Sequence, residues 1–342
     1  MIDTIKIFTM IDKNTFNKIN NISIVKSSVN RRTGELIYEL NSSKIVGSYS
    51  NTINIRIGDG AVYGFVGYKY ISIEGSYHKL LNGYNSHNGY YNLIEIVNFF
   101  ISAVNYDFKV NLPDVSHWFL QRIDIACVFD LSDNQKVKDY INNLSFCNYP
   151  RRNIKHFQDE SIYCSGTSTT LKIYNKMLEF KKHDMRNLFN YNFNIENYLN
   201  IIKGFIRFEC EIKKKKLESI YKKKYIRIKN VNYQDLKKVW SDEFMKLLSY
   251  FKEDLKVVRE KKDIEKRLFS MYGSVKGRNI YNFYTSIMVD GLKNVKNRTT
   301  RTTFYRYIKC LKDANVDYSQ KYKVTLENKI IDFNPFDWEE VS

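Results

Sequence analysis

Apolar and polar residues alternate through three stretches of this chain, and on a β-strand side chains two apart share a face. In residues 121–130, Ile123, Ile125, Cys127 and Phe129 interleave with Arg122 and Asp124. In residues 169–180, Leu171 and Ile173 interleave with Lys172, Tyr174 and Lys176. In residues 205–212, Ile206, Phe208, Cys210 and Ile212 interleave with Arg207, Glu209 and Glu211. An earlier stretch repeats the arrangement, with Ile71 and Ile73 inward and Ser72 and Glu74 outward. The pattern predicts strands whose apolar sides pack together and whose polar sides gather a tyrosine, lysines, arginines and carboxylates on one surface. An antiparallel sheet tolerates such a wet face.

Other segments fill in the elements around these strands. Residues 4–8, 36–41, 45–49, 53–57 and 63–74 read as short strands, with Gly58-Asp59-Gly60 as a hairpin signal. Leu93, Val97, Phe100, Ile101 and Val104 recur at helical spacing, so residues 92–105 form an amphipathic helix laid on the sheet. Ser132 is a candidate N-cap for a helix carrying Val137, Tyr140, Ile141 and Leu144. A polar helical connection ending near Gly204 separates the second and third alternating strands. The whole is an α+β pattern, a mostly antiparallel sheet with helices on one face.

Beyond the lysine run at 213–216 the chain becomes helical and basic. Trp240, Phe244, Leu247, Leu248 and Phe251 mark one long helix, residues 273–277 read as a loop, residues 279–289 as a helix, and Asp290-Gly291 as a turn. Residues 299–316 form a further helix with Phe304, Ile308 and Leu311 inward and Arg301, Thr302, Tyr305 and Arg306 outward. Two helices on a short connection, the second opening with basic and hydroxyl residues, make a helix-turn-helix-like reader of the major groove. The expected division is an α+β domain over 1–225 and a helical DNA-binding domain over 226–342.

Composition favours a polyanionic partner. Lys and Arg total 55 against 37 acids, a formal charge of +18, and 27 Tyr with 22 Phe supply rings that stack on unpaired bases. An AT-rich genome inflates Lys, Asn, Ile and Tyr together, so charge alone does not decide the partner. Five scattered cysteines without a Cys-x-x-Cys pair indicate neither zinc nor a disulfide framework, and the five histidines form no His-hydrophobic-His pair. Residues 1–12 lack the features of a signal peptide and no stretch reaches the ~20 apolar residues of a membrane span. A reducing cytoplasm is the expected location.

Several ordered motifs carry a family resemblance: Met1-Ile2-Asp3, Ile73-Glu74-Gly75-Ser76 followed by Lys79 and Gly83-Tyr84-Asn85, Arg122-Ile123-Asp124, residues 171–180, Arg207-Phe208-Glu209 and Thr303-Phe304-Tyr305-Arg306-Tyr307. Together they resemble the gene II/gene X replication proteins of filamentous phages and related plasmids, across nearly the whole chain. The resemblance implies a rolling-circle initiator, a metal-dependent enzyme that nicks and rejoins the plus strand of a double-stranded origin. It selects Tyr174 as nucleophile within Lys172-Ile173-Tyr174-Asn175-Lys176. By likeness to staphylococcal-type plasmid initiators, it also implies Asp124 and Glu209 as ligands of Mg²⁺ or Mn²⁺, with Glu74 and Glu211 as additions.

The residue types suit that chemistry. A phenol attacking a phosphodiester forms a phosphotyrosyl ester and frees a 3′-hydroxyl, and Lys172 and Lys176 are placed to favour the phenolate. Asp124 has another reading, as a salt-bridge partner of Arg122 or Lys172, and Tyr163 is a second candidate nucleophile. Arg122, Arg207, Lys213 and Lys214 are candidate phosphate contacts; Arg207 has the alternative of pairing with Glu209. Arg301, Tyr305 and Arg306 are candidate base readers. Expected partners are duplex origin DNA, the nicked single strand and a host helicase, with an oligomer on DNA. A non-catalytic origin-binding repressor and an RNA-binding protein are the competing functions.

Overall fold

The alternating stretches are neighbouring strands of one sheet. The computed structural model describes residues 1–342 apart from 22–23, 30–35, 47–51, 86–88, 145–148, 189–192, 255–260, 317, 319–334 and 337–342. The chain divides into two compact units: residues 1–145, 149–247 and 330–342 form the first, and residues 146–148 with 248–329 the second.

The first unit is built on β1 (Ile2–Ile11), β2 (Ile24–Val29), β3 (Leu36–Val46), β4 (Thr52–Asp59), β5 (Lys69–Ser76), β6 (Phe119–Asp130), β7 (Asn153–Phe157), β8 (Ser161–Ser165), β9 (Thr169–Asn175), β10 (Phe205–Lys213) and β11 (Ile226–Arg227). Ten strands run in the order β2-β3-β4-β5-β1-β6-β10-β9-β8-β7, and β11 pairs with β6 beside that path. The described pairings are antiparallel. The expected strands over 36–41 and 45–49 are one strand, β3, and the last residues of that expectation, 47–49, lie outside the described ones. Strands β2 and β7 carry no clean apolar alternation and were not legible in the sequence.

In this unit lie α1 (Lys13–Asn20), α2 (Tyr77–Asn82), α3 (Leu93–Phe108), α4 (Asn134–Leu144), α5 (Lys176–Glu179), α6 (Met185–Leu188), α7 (Ile195–Ile201), α8 (Lys214–Tyr221) and the start of α9 (Tyr233–Asp254). The apolar side of β6, β9 and β10 is covered by aromatic side chains. Phe208 meets Tyr140 of α4 at a centroid distance of 6.2 Å and Phe244 of α9 at 5.1 Å, and Trp240 donates its indole N–H to the Phe208 carbonyl at 3.0 Å. Phe251, expected on the same stripe, lies outside the residues whose side chains are described. Burying a side chain of this size contributes about 1.5–3 kcal/mol. These contacts, with the β11 pairing, hold residues 226–247 in the first unit. The contact boundary therefore falls at 247, beyond the expected change of character at 225.

Capping decides several ends. Asn92 accepts from the amides of Ile94 and Glu95 and starts α3, whose Leu93, Val97, Phe100, Ile101 and Val104 are buried as the periodicity predicts. Ser132 is not the cap of α4: it sits at φ 65° with its amide on Asp130, and Asp133 accepts from Gln135 N at 2.6 Å. The Gly58-Asp59-Gly60 signal does not make a tight hairpin, because the chain makes a longer excursion over residues 60–68 before β5.

The second unit contains α10 (Lys261–Tyr272), α11 (Ser274–Asp290), α12 (Leu292–Arg298) and α13 (Arg301–Asp313). Its core joins Leu268, Ile280, Phe283, Ile287, Phe304, Ile308 and Leu311. The expected 273–277 loop is only Gly273, at φ 77°, after which α11 begins. Gly277 lies inside that helix because α10 crosses it closely: a Cβ there would stand 2.7 Å from the Leu268 carbonyl oxygen. On α13 the inward and outward residues are as expected, Phe304, Ile308 and Leu311 buried and Arg301, Thr302, Tyr305 and Arg306 exposed. Among the described residues no helix is long and apolar enough to cross a membrane.

Candidate active site

Register brings the polar side chains together. Across β10, Glu209 lies opposite Lys172 of β9 and Ala126 of β6, Glu211 opposite Asp124, and Arg207 opposite Tyr174. Same-face positions on adjacent strands thereby place Asp124, Lys172, Tyr174 and Glu209 around one cavity of about 400 Å³. Glu160, Tyr163, Lys79, Glu179, Lys182 and His183 complete much of its wall.

At its centre Tyr174 Oη donates to Glu209 Oε2 at 3.0 Å, and Lys172 Nζ donates to Glu209 Oε1 at 2.6 Å. The same ammonium stands 3.7 Å from Asp124 Oδ2 and from Glu211 Oε2. Arg122 grips Asp124 with both prongs, Nε to Oδ1 at 2.8 Å and Nη2 to Oδ2 at 2.6 Å, and also reaches Glu74 at 3.1 Å and Glu211 at 3.4 Å. Lys6 pairs with Glu74 at 3.0 Å. The salt-bridge reading of Asp124 is thus realised, with Arg122 as its main partner.

Proton affinities follow from this crowding. Burial is the largest cause raising the Tyr174 phenol well above its ordinary range; Arg207 opposes it and Glu209 reinforces it. Burial and the Glu209 charge push Asp124 up to about 7, against the pull of Arg122 and Lys172. Burial disfavours the Lys172 charge, but Glu209 and Asp124 outweigh it and hold the ammonium. Lys172 therefore acts on Glu209 rather than directly on the phenol.

Lys176 departs from its expected place. Asn175 ends β9 by accepting from Leu178 N at 3.1 Å, so Lys176 opens α5 instead of continuing the strand face. Its side chain is fully buried and donates to Glu179 at 2.7 Å, and burial lowers its pKa. Arg207 is likewise fully buried, pairing with Asp3 at 3.1 Å and lying 5.9 Å from the Tyr174 ring centroid, away from any surface phosphate. Lys213 donates to the Gly166 carbonyl at 2.8 Å, and Lys214 pairs with Glu218 at 3.7 Å.

Sequence alternation does not find the layer beneath. Asp3 accepts from Ser76 Oγ at 3.1 Å and holds Arg207 beside the Tyr174 ring. Lys79 donates to Asp184 at 2.9 Å and stands 3.7 Å from Glu179, while Asn85 N donates to Asp184 at 3.1 Å. Asp3, Lys79 and Asn85 belong to the motifs that carry the resemblance, and that was their only signal.

The carboxylates do not form a ready divalent-cation site. Both oxygens of Asp124 are taken by Arg122, and those of Glu209 by Lys172 and Tyr174. Among the described residues no group of three or more His, Cys, Asp or Glu is arranged to hold a metal ion.

A tyrosine on a carboxylate, in a cavity rimmed by lysines on the face of an antiparallel sheet, marks the candidate site of this basic α+β protein. The family profile for the N-terminal region of the phage gene II replication-associated protein matches residues 1–237, and the chain belongs to that family. No curated protein matches the chain significantly.

Proposed function

We propose that this protein initiates rolling-circle replication by nicking one strand of a duplex origin and later rejoining it. The observation that carries the reading is the hydrogen bond from Tyr174 Oη to Glu209 Oε2, 3.0 Å long, at the cavity wall. As the phenol proton passes to Glu209, the phenolic oxygen attacks the phosphorus. The P–O3′ bond breaks, the leaving oxygen takes a proton from solvent, and a 5′-phosphotyrosyl ester remains beside a free 3′-hydroxyl. Rejoining is the reverse, with the 3′-oxygen displacing the tyrosine and Glu209 returning the proton. Lys172 neutralises charge on Glu209 before the transfer and on the non-bridging phosphate oxygens during it.

The arrangement explains how a phenol with a raised pKa serves as nucleophile: it is deprotonated in step with attack rather than beforehand. Arg122 fixes Asp124 through two hydrogen bonds, and the Asp3–Arg207 pair supports the ring. Asp124 and Glu209 would hold Mg²⁺ or Mn²⁺ once released from Arg122 and Lys172, and the ion would then supply charge neutralisation at the phosphate. The exposed Arg301, Tyr305 and Arg306 of α13 are assigned to origin recognition, and Lys213 and Lys214 to the DNA backbone. A host helicase and assembly on the origin belong to the same reading.

A supercoiled plasmid carrying the cognate origin tests it. The parent is expected to convert the plasmid to open circles, Tyr174→Phe to abolish conversion, and Glu209→Gln to slow it by about 10²–10⁴-fold. Tyr174→Phe nicking at the parental rate removes Tyr174 from the reaction. Origin binding without nicking by the parent identifies a repressor instead.

A further inference from the structure

A second feature of the same sheet face has no part in the cleavage step. Phe8 of β1 lies opposite Ser72 of β5 and Phe119 of β6, in the row next to the Lys6, Glu74 and Arg122 row. Phe8 stacks on Tyr63 at 4.1 Å and on Phe119 at 5.2 Å, and Tyr225 closes on Phe65 at 5.1 Å. The excursion over residues 60–68 turns at Gly64, φ 79°, and Gly67, φ 83°, and Tyr225 donates its hydroxyl to the Tyr63 carbonyl.

This aromatic cluster does not bury all of its apolar surface. Val62 is 74% exposed, Val66 79% and Tyr68 60%, and Tyr63, Phe65, Phe119 and Tyr225 are only half-buried over a buried Phe8. Cations border it: Lys214 and Lys224 stand 5.7 and 5.3 Å from the Tyr225 ring, Arg227 stands 5.4 Å from the Phe119 ring, and Lys222 and Lys223 are exposed beside them. The nearby acids are already matched, Asp59 by Lys69 at 3.3 Å and Glu218 by Lys214 at 3.7 Å. Exposed rings among clustered cations suit a ligand with flat apolar faces along an anionic backbone, which is unpaired nucleic acid. Duplex DNA offers no base faces to such a loop.

We propose that residues 60–68, together with the turn at 222–225, form a stacking platform for single-stranded DNA. The platform lies on the strand face that carries Tyr174. Tyr63 Oη is 3.4 Å from Gln121 Oε1, the residue before Arg122, so the two regions are continuous along β6. From Phe119 to the Tyr174 level of β6 the strand covers nine residues, roughly 30 Å at ~3.3 Å each. An unpaired strand running along the face reaches both. The platform's role rests on the nickase reading: it holds the strand opened at the origin, or released by cleavage, while the ester persists. Its affinity for bases does not depend on cleavage.

The experiment measures binding of the full chain to fluorescent oligo-dT by anisotropy. Comparison ligands are an abasic oligomer of equal length and a duplex without the origin sequence. Tyr68→Ala and Phe65→Leu, the latter keeping apolar bulk without a ring, are each expected to weaken oligo-dT binding by about 10-fold. Neither should change affinity for the abasic oligomer. The parent is expected to prefer oligo-dT to the abasic oligomer by a similar factor. Oligo-dT affinity unchanged in both variants overturns the platform, as does equal parental affinity for the two oligomers. The two readings fail separately: an inactive parent that still loses oligo-dT affinity on Tyr68→Ala sinks only the nickase, and an active parent with unchanged variants sinks only the platform.

Discussion

At Tyr174, burial that shields the phenol also holds its proton, which is why Glu209 at 3.0 Å matters more than the flanking lysines. The i, i+2 rule made Asp124, Lys172, Tyr174 and Glu209 legible as one cluster before any fold was known. It left open whether Lys172 would sit among the carboxylates as their counter-ion, because that depends on strand register. Nor could it find Asp3 or Lys79, whose partners lie 204 and 105 positions away in the chain, Arg207 and Asp184 respectively. The counter-ion role has a measurable consequence. Removing the ammonium 2.6 Å from Glu209 leaves the cluster more negative, so Lys172→Ala should bind Mn²⁺ about tenfold more tightly than the parent by calorimetric titration. Unchanged affinity would mean that Lys172 and a cation do not compete for these oxygens.

Among the elements, the strongly alternating strands and the amphipathic helices were readable, whereas their ends were settled by single polar side chains. Asn175 turns the strand into a helix one residue after Tyr174 and sends Lys176 into the interior. Asp133 displaces Ser132 as the start of α4 for the same local reason, a side-chain oxygen within reach of a free backbone N–H. Gly277 shows the reverse case, a glycine that reads as loop in the sequence and is present for helix contact. Its hydrogen faces the Leu268 carbonyl, and a methyl there would be 2.7 Å from that oxygen. Gly277→Ala should therefore destabilise the second unit by about 1–3 kcal/mol, although alanine is the better helix former. Denaturant unfolding followed by far-ultraviolet circular dichroism measures this, and a gain in stability contradicts the close crossing of α10 and α11.

Over the whole molecule, charge and composition indicated a nucleic-acid partner but did not locate the contacts. The 55 Lys and Arg include Arg122, Lys172, Lys176 and Arg207, which are spent on internal carboxylates, so the cations available to DNA are fewer than that total. The family match covers residues 1–237 and the first unit continues through α9 to Leu247, where Trp240 and Phe244 close the sheet. The later helices present Arg301, Tyr305 and Arg306 on one exposed helix of a separate unit. The most direct measurement is mass spectrometry of the protein after reaction with an origin oligonucleotide and nuclease trimming. A nucleotide bonded through its 5′-phosphate to the peptide containing Tyr174, and absent from Tyr174→Phe, is the expected result. An adduct on Tyr163, or one that persists in Tyr174→Phe, contradicts the assignment.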